Sequence, residues 1–341
     1  MTESSLVTQP LSLSSSYLGS VLPAVCAHYG LTADMLLMRA GLPADLLSRP
    51  GEMVSFERVV VLFLNIMNMT RDEALGVVAG SCVQPRSYQV MGYAIMTSDT
   101  LEAAIGRLIR YETLVGKLGR TEMRREGEHV ELVWHSPLSG VWACYLKEAA
   151  IAGWVTFARS LLSEVPDYDV CFDHPCRGDH EPYHRILGDR VSFGASFTGV
   201  RLPASALGIA VRSADPGLCA VLDREAQTAL TEFDSRINLS NEVRAVIAQC
   251  LPEGEPSLEA VAKRLGLPVR SMQARLREGG QPFKTLVDEV RRQLAALYLR
   301  RDDVSLVDVG FLLGFSEQSA FSRAFRRWYG MAPQQYQKSP R

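Results

Sequence analysis

The sequence predicts two folded parts of different class: an α+β part over roughly the first 235 residues, then an all-α part in which two helix-turn-helix motifs are joined by a long helix. Three observations carry this reading. The chain of 341 residues exceeds the roughly 100 to 200 of a single domain, strand-like alternation is confined to a window between Arg120 and Leu202, and charge divides unevenly along the chain. Residues 241–341 hold 16 Lys and Arg against 11 Asp and Glu, while residues 1–240 hold 20 against 27. A basic part beside an acidic one suits a nucleic-acid-binding module joined to something that need not touch nucleic acid.

In chain order, the Ser- and Thr-rich residues 1–16 are expected to form a flexible tail, with order starting near Tyr17. Leu18, Val21, Leu22 and Val25 recur at helical spacing; Gly30 breaks the pattern and Thr32 restarts it as an N-cap, giving two helices between Tyr17 and Arg39. Ser55 caps a helix running to about Met69, and another covers Asp72 to Ala79, so the first 80 residues read as helical. Ser98 or Thr100 opens the next, which ends near Leu114. Only then do strands appear: Arg120–Arg125 and His129–His135 alternate on either side of a Glu-Gly-Glu turn and predict a hairpin. A long apolar helix from Trp142 to Leu162 follows. A strand at Asp169–Phe172, a short helix at Tyr183–Leu187 and strands at Val191–Phe193 and Phe197–Leu202 complete the first part.

The second part is helical throughout. A helix opened by Ser240 and closed by Pro252 leads into it, with the boundary just before. Ser257 caps a short helix with Leu258, Val261, Ala262 and Leu265 inward, Gly266 turns the chain, and a second helix runs from Pro268 to about Arg277. A long helix from Pro282 to about Arg300 separates this motif from another between Ser305 and Tyr329, in which Gly314 closes one helix and Ser316 opens the next. The last helix buries Ala320, Phe321, Ala324, Phe325 and Trp328 and leaves Gln318, Ser319, Ser322, Arg323, Arg326 and Arg327 outward. Amides, hydroxyls and guanidinium groups on one helical face can enter a DNA major groove and pair with base edges and phosphates.

At these residues a resemblance becomes specific. The run Gly314 to Pro333, GFSEQSAFSRAFRRWYGMAP, resembles the C-terminal signature of the AraC/XylS family of transcription regulators. The first part resembles the arabinose-binding-like N-terminal domain of long members, through residues 40–47, 91–104, 172–175 and 191–193 with Tyr183 and Gly188. The resemblance implies a ligand-sensing and dimerising domain over residues 17–235 and a DNA-binding domain over 236–341. It places Arg270, Gln273 and Ala274 toward bases and Arg277 toward phosphate in the first motif. In the second it places Ser316, Gln318, Ser319 and Arg323 in the groove, with Arg326 and Arg327 near the backbone. Ala274 departs from the Arg of many relatives, Pro268 occupies the usual Ser N-cap, and Gly310 often stands as Ala. The second motif is therefore expected to carry more of the specificity. The implied function is a cytoplasmic transcription regulator, an activator by preference, with promoter DNA, RNA polymerase and a small effector such as an amino acid or related metabolite as partners. A homodimer is compatible with it, no cofactor is implied, and no enzyme is expected.

Other chemistry is weaker. His180-Glu181-Pro182-Tyr183-His184 matches the H-E-x-x-H pattern of zinc peptidases, so the rival function is a metal-dependent hydrolase using His180, Glu181 and His184 with a DNA-binding tail. Pro182 fits only the first turn of a helix, which puts His180 at or before the cap and off the shared face the chemistry needs. Cys171, His174, Cys176, His180 and His184 have ligand chemistry for zinc but match no structural zinc spacing. Seven irregularly spaced Cys suggest reduced thiols, and the longest apolar runs fall far short of a membrane helix. Tyr88, Tyr93, Trp134, Trp142 and Tyr145 are the aromatic candidates for an effector pocket, against the alternative that they are ordinary core.

Overall fold

A computed structural model describes residues 11–300 and 304–338, which divide into two compact units at residues 231 and 232. The first unit opens with a strand. β1 (Ser12–Ser14) pairs antiparallel with β2 (Met53–Ser55), with Leu13 opposite Val54 and both buried. This corrects two expectations. Residues 11–16 are not tail, because Leu13 is buried in the core and the Ser14 hydroxyl accepts from the Ser16 amide and from Gln89 Nε2. The first 80 residues are likewise not wholly helical, and the remainder of the expected tail lies outside the described residues.

Among the described residues six α-helices precede the main sheet: α1 (Ser15–Tyr29), α2 (Ala33–Arg39), α3 (Phe56–Thr70), α4 (Leu75–Ser81), α5 (Gln89–Met96) and α6 (Leu101–Tyr111). Gly30 ends α1 in the left-handed conformation, and the Thr100 hydroxyl accepts from the Ala103 amide at the head of α6. Next come β3 (Arg120–Glu126), β4 (His129–His135), α7 (Val141–Leu161), β5 (Asp169–Phe172), α8 (Glu181–Leu187), β6 (Val191–Phe193) and β7 (Gly199–Pro203). The sheet order is β3-β4-β7-β5-β6, antiparallel except for β5 with β6. The first unit is thus the α+β domain the sequence predicts.

Helix α4 lies directly on α7. A Cβ at Gly76 would come within 2.6 Å of the Tyr145 carbonyl, and one at Gly80 within 2.4 Å of the Ala149 carbonyl, so a residue without a side chain is needed at both turns. Beneath this contact a carboxylate is fully enclosed. Glu148 accepts from Arg177 Nη2 and from the Tyr183 hydroxyl, each at 2.9 Å, and His174 Nε2 stands 3.9 Å away. The Arg177 guanidinium carbon in turn stands over the Tyr145 ring, 3.7 Å from its centroid.

Helix α9 (Pro216–Cys250) is one continuous element. Ser240 lies in its interior and opens nothing, since Leu239, Val243 and Ile247 repeat every four residues through that point and are buried. In the first unit Arg107 pairs with Asp223 at 2.8 Å. The second unit is all helix: α10 (Leu258–Arg264), α11 (Val269–Glu278), α12 (Phe283–Tyr298), α13 (Leu306–Leu312), α14 (Gln318–Tyr329) and α15 (Pro333–Lys338).

Burial pushes the Glu148 carboxyl up from its ordinary value of 4.5 to about 7, against the opposing pull of Arg177 and Tyr183. A carboxyl raised in the folded state weakens the fold as pH climbs from the unfolded to the folded value, because over that range the unfolded chain releases a proton that the native protein still holds. His174, whose pKa burial lowers, remains in both proteins and largely cancels in a comparison. Between pH 4.5 and 7 the stability difference between Glu148→Gln and wild type should move in the variant's favour by up to about 3 kcal/mol. Urea unfolding at a series of pH values checks this, and a pH-independent difference contradicts it.

Candidate functional site

Two helix pairs in the second unit are built alike. In the first, the Ser257 hydroxyl accepts from the Ala260 amide at the start of α10, and Gly266 (φ 67°) turns the chain into α11. In the second, Ser305 accepts from the Asp308 amide at the start of α13, and Gly314 (φ 71°) turns it into α14. Each pair buries its own apolar stripe, and α12 serves both. Leu286, Val287 and Val290 complete a core with Val261, Ala262, Met272 and Leu276. Ala295, together with Leu299 just beyond the helix, completes another with Val309, Leu313, Phe321 and Phe325. The rod is therefore also the inner wall of both motifs.

The outward faces of α11 and α14 match one another in chemistry. Arg270, Gln273 and Arg277 are exposed on α11, and Gln318, Ser319, Arg323, Arg326 and Arg327 on α14. None of the side chains of Arg270, Gln273, Arg277, Gln318, Arg323 or Arg326 makes a hydrogen bond or ion pair among the described residues. Other candidates differ. Arg327 is tied by Nη2 to Asp288 on α12 at 2.9 Å, Ser319 donates to Glu317 Oε2 at 3.0 Å, and Ser322 is half-buried. Helix α14 starts one residue later than the sequence suggests: Glu317 is its N-cap residue and Ser316 stands exposed in the turn. Pro268 caps α11 without a side-chain hydrogen bond, as its missing hydroxyl requires.

The sequence reading missed what fixes the separation of the two motifs. Arg291, buried midway along α12, donates through Nε to the Leu313 carbonyl at 2.9 Å and through Nη2 to the Gly314 carbonyl at 3.1 Å. Its guanidinium lies 4.4 Å from the Phe315 ring centroid, and Nη1 is 3.8 Å from Glu255 Oε1 in the segment before α10. Burial lowers its pKa, while Glu255 and Asp288 oppose the shift. The same point is sealed by backbone, since a Cβ at Gly314 would come within 2.6 Å of the Gly254 carbonyl. The signal was present in the sequence, because the inward stripe Val287, Val290, Leu294 runs past position 291.

The sequences of both units match known families. The family model described as the arabinose-binding domain of AraC transcription regulator, N-terminal, covers residues 30–210, and a helix-turn-helix domain model covers residues 261–339. The chain belongs to the AraC family of transcription regulators. It is a DNA-binding transcription regulator. It is similar to the ornithine utilization regulator of Pseudomonas aeruginosa, 27% identical over 92% of this chain and 93% of the relative. It is 34% identical to the transcriptional regulator VirS of Mycobacterium tuberculosis over 48% of each chain. The crystal structure of transcriptional regulator CdpR from Pseudomonas aeruginosa aligns over 95% of this chain and 98% of its own, at 20% identity and a TM-score of 0.47.

Within this regulator's first unit the aromatic candidates separate. Tyr88 and Trp134 line a cavity of about 180 Å³ among α1, α3, α4 and α7. The other three do not line it: Tyr145 lies under Arg177, Trp142 sets its edge on Phe63 with centroids 6.4 Å apart, and Tyr93 is 46% exposed. The Cys/His candidates do not converge either. Cys171 is buried against Val133 and Phe197, His174 Nδ1 is 3.0 Å from the Pro175 carbonyl, and His180 is the N-cap residue of α8. His184 Nδ1 is 3.3 Å from the Gly188 carbonyl, and the Cys176 thiol turns to the Arg177 and Gly178 carbonyls. Among the described residues no group of three or more His, Cys, Asp or Glu could hold a metal ion.

Two glycines of the second motif should respond oppositely to alanine. At Gly310 the nearest atom to an added Cβ is 3.5 Å away, ordinary contact, so Gly310→Ala should raise stability by about 0.5 to 1 kcal/mol. Gly314→Ala meets both a positive φ and the Gly254 carbonyl and should cost at least about 1 to 3 kcal/mol. Thermal unfolding of the two variants checks the pair, and equal effects would contradict the packing described.

Proposed function

We propose that this regulator reads promoter DNA with both motifs, α11 and α14 entering successive major grooves, and that it acts as an activator in contact with RNA polymerase under the control of a small molecule bound by the first unit. The observation that carries the reading is the pair of equivalent outward faces with unengaged Arg and Gln side chains on one shared helix. Gln pairs bidentately with adenine and Arg with guanine, whereas Lys and Arg at the rim neutralise phosphates. In this reading Arg270 and Gln273 read bases from α11, and Gln318, Ser319 and Arg323 read them from α14. Arg277, Arg326 and Ser316 meet the backbone, and Arg327, held by Asp288, contributes charge rather than base readout. The second head carries the larger share of specificity, since α11 presents Ala274 where an arginine would add a contact.

Effector control would operate as a population shift: the ligand stabilises the arrangement able to bind or to contact polymerase. A dimer through the first unit would double the contact with DNA. Residues 17–235 serve here as the sensing and dimerising domain and 236–341 as the DNA-binding domain. The relatives are named as transcription regulators, which supports a chain without catalytic activity working in the cytoplasm. No single helix among the described residues is long and apolar enough to cross a membrane.

The test is a binding site selected from a random-sequence DNA pool with the full chain, followed by fluorescence anisotropy. Arg323→Ala and Gln318→Ala should each weaken the selected site by about 1 to 3 kcal/mol and relax preference at one position. Arg326→Ala should lower affinity uniformly and reduce the salt slope by about 1. Glu181→Gln should change nothing. The reading fails if Gln318→Ala leaves site preference intact while Gln273→Ala destroys it.

A further inference from the structure

The cavity in the first unit has an unusual wall for a sensor of amino acids or sugars. Its surface is made by Leu18, Val21, Leu22, Leu62, Ile66 and Leu75, all buried, with Trp134 and Trp154 at one side. No Lys, Arg or His lines it among the described residues. The charged lining residue is Glu112, whose carboxylate accepts from the Thr121 amide at 2.9 Å and the Thr121 hydroxyl at 2.5 Å. A second apolar cavity of about 110 Å³ adjoins it, with Tyr88, Leu108 and Trp154 lining both.

An α-amino acid would bring a carboxylate into this space with no cation to meet it and a carboxylate already at the wall. A sugar would bring a ring of hydroxyls, and besides the Glu112 and Thr121 pair the polar side-chain groups of the lining are the Tyr17 and Tyr88 hydroxyls and the Trp134 and Trp154 indole N–H groups, single sites on an otherwise apolar wall and too few to satisfy it. Each unpaired polar group buried there would count against binding. An apolar molecule has no such penalty, and an apolar cavity of about 150 Å³ stays dry and takes up a molecule the size of benzene. The remaining acceptor capacity of the Glu112 oxygens suits one hydroxyl donor on the ligand and repels an anion.

Resting on the reading that the first unit takes a small-molecule effector, we propose that the effector class is a neutral aromatic or short alkyl compound carrying at most one hydroxyl, held in the cavity between α1, α3, α4 and α7. The ornithine named for one relative is a different chemistry, so this chain answers to a different class of signal. Recognition is by shape and apolar contact, and Glu112 excludes acids of the same skeleton.

The experiment uses the full-length protein and four probes: p-cresol, benzoate, L-ornithine and L-arabinose. Differential scanning calorimetry should give a saturable rise in Tm of a few degrees with p-cresol and none with the other three. Ala150→Leu, which adds bulk at the cavity wall, should keep or raise the Tm of the free protein and abolish the p-cresol response. Val115→Leu replaces it should that variant fail to fold. The proposal is overturned if p-cresol gives no saturable shift, if ornithine, arabinose or benzoate gives one instead, or if the filled cavity still responds. Anisotropy on the same preparations with selected DNA separates the two levels of the account. Intact DNA binding without a p-cresol response removes only the ligand class, while loss of specific DNA binding removes the regulator reading beneath it.

Discussion

The DNA-binding unit depends on one buried guanidinium. Arg291 leaves the middle of α12 and closes the turn of the second motif by taking the Leu313 and Gly314 carbonyls, with Phe315 beneath it and Glu255 at its edge. Those carbonyls end a helix and need donors, and a cation taken out of water needs acceptors, so each satisfies the other. Because Glu255 belongs to the segment before α10, both motifs meet at this point. A rod alone would set only the distance between α11 and α14; the arginine and the Gly314 contact also set their rotation about the rod. Two faces held in fixed rotation can address one side of a duplex together, which two independent heads on a hinge could not do without an added ordering cost.

The first unit rests on a different constraint, close backbone approach. Gly76 and Gly80 let α4 lie against the carbonyls of α7, and this brings Glu148, Arg177, Tyr145 and Tyr183 into a buried polar cluster. The cluster belongs to the scaffold: its members bond each other and lie outside the lining of the cavity. The cavity's own wall is mostly apolar, aliphatic and aromatic, and its one charged side chain is Glu112, bonded to Thr121. Aromatic residues in this unit therefore play two parts. Tyr145 and Trp142 pack the scaffold while Tyr88 and Trp134 shape the space.

Much of this was legible in the sequence because it is local. Helical spacing, the Ser257 and Ser305 caps and the glycines at 266 and 314 mark both motifs, and alternation marks the β3-β4 hairpin, because each signal is written within a few residues of the structure it causes. What was hidden is long-range. β1 is three residues of a serine-rich stretch whose strand character exists only because β2 lies beside it. Ser240 looks like a cap, but Leu239, Val243 and Ile247 make a continuous helix the better solution. On α11 and α14 the outward residues followed from the helical period, whereas the capture of Arg327 by Asp288 needed the third dimension. The five effector candidates shared a residue type and nothing more, so no local pattern could divide them.

The central claim is that two heads at one fixed separation and rotation read one side of the duplex. Hydroxyl-radical footprinting of the full chain on a DNA site selected from a random pool tests it most directly. The account predicts, for each bound copy of the chain, two protected patches whose centres lie one helical turn apart, about 10 to 10.5 base pairs, on the same face. A single patch, or two patches offset by half a turn onto opposite faces, would contradict it.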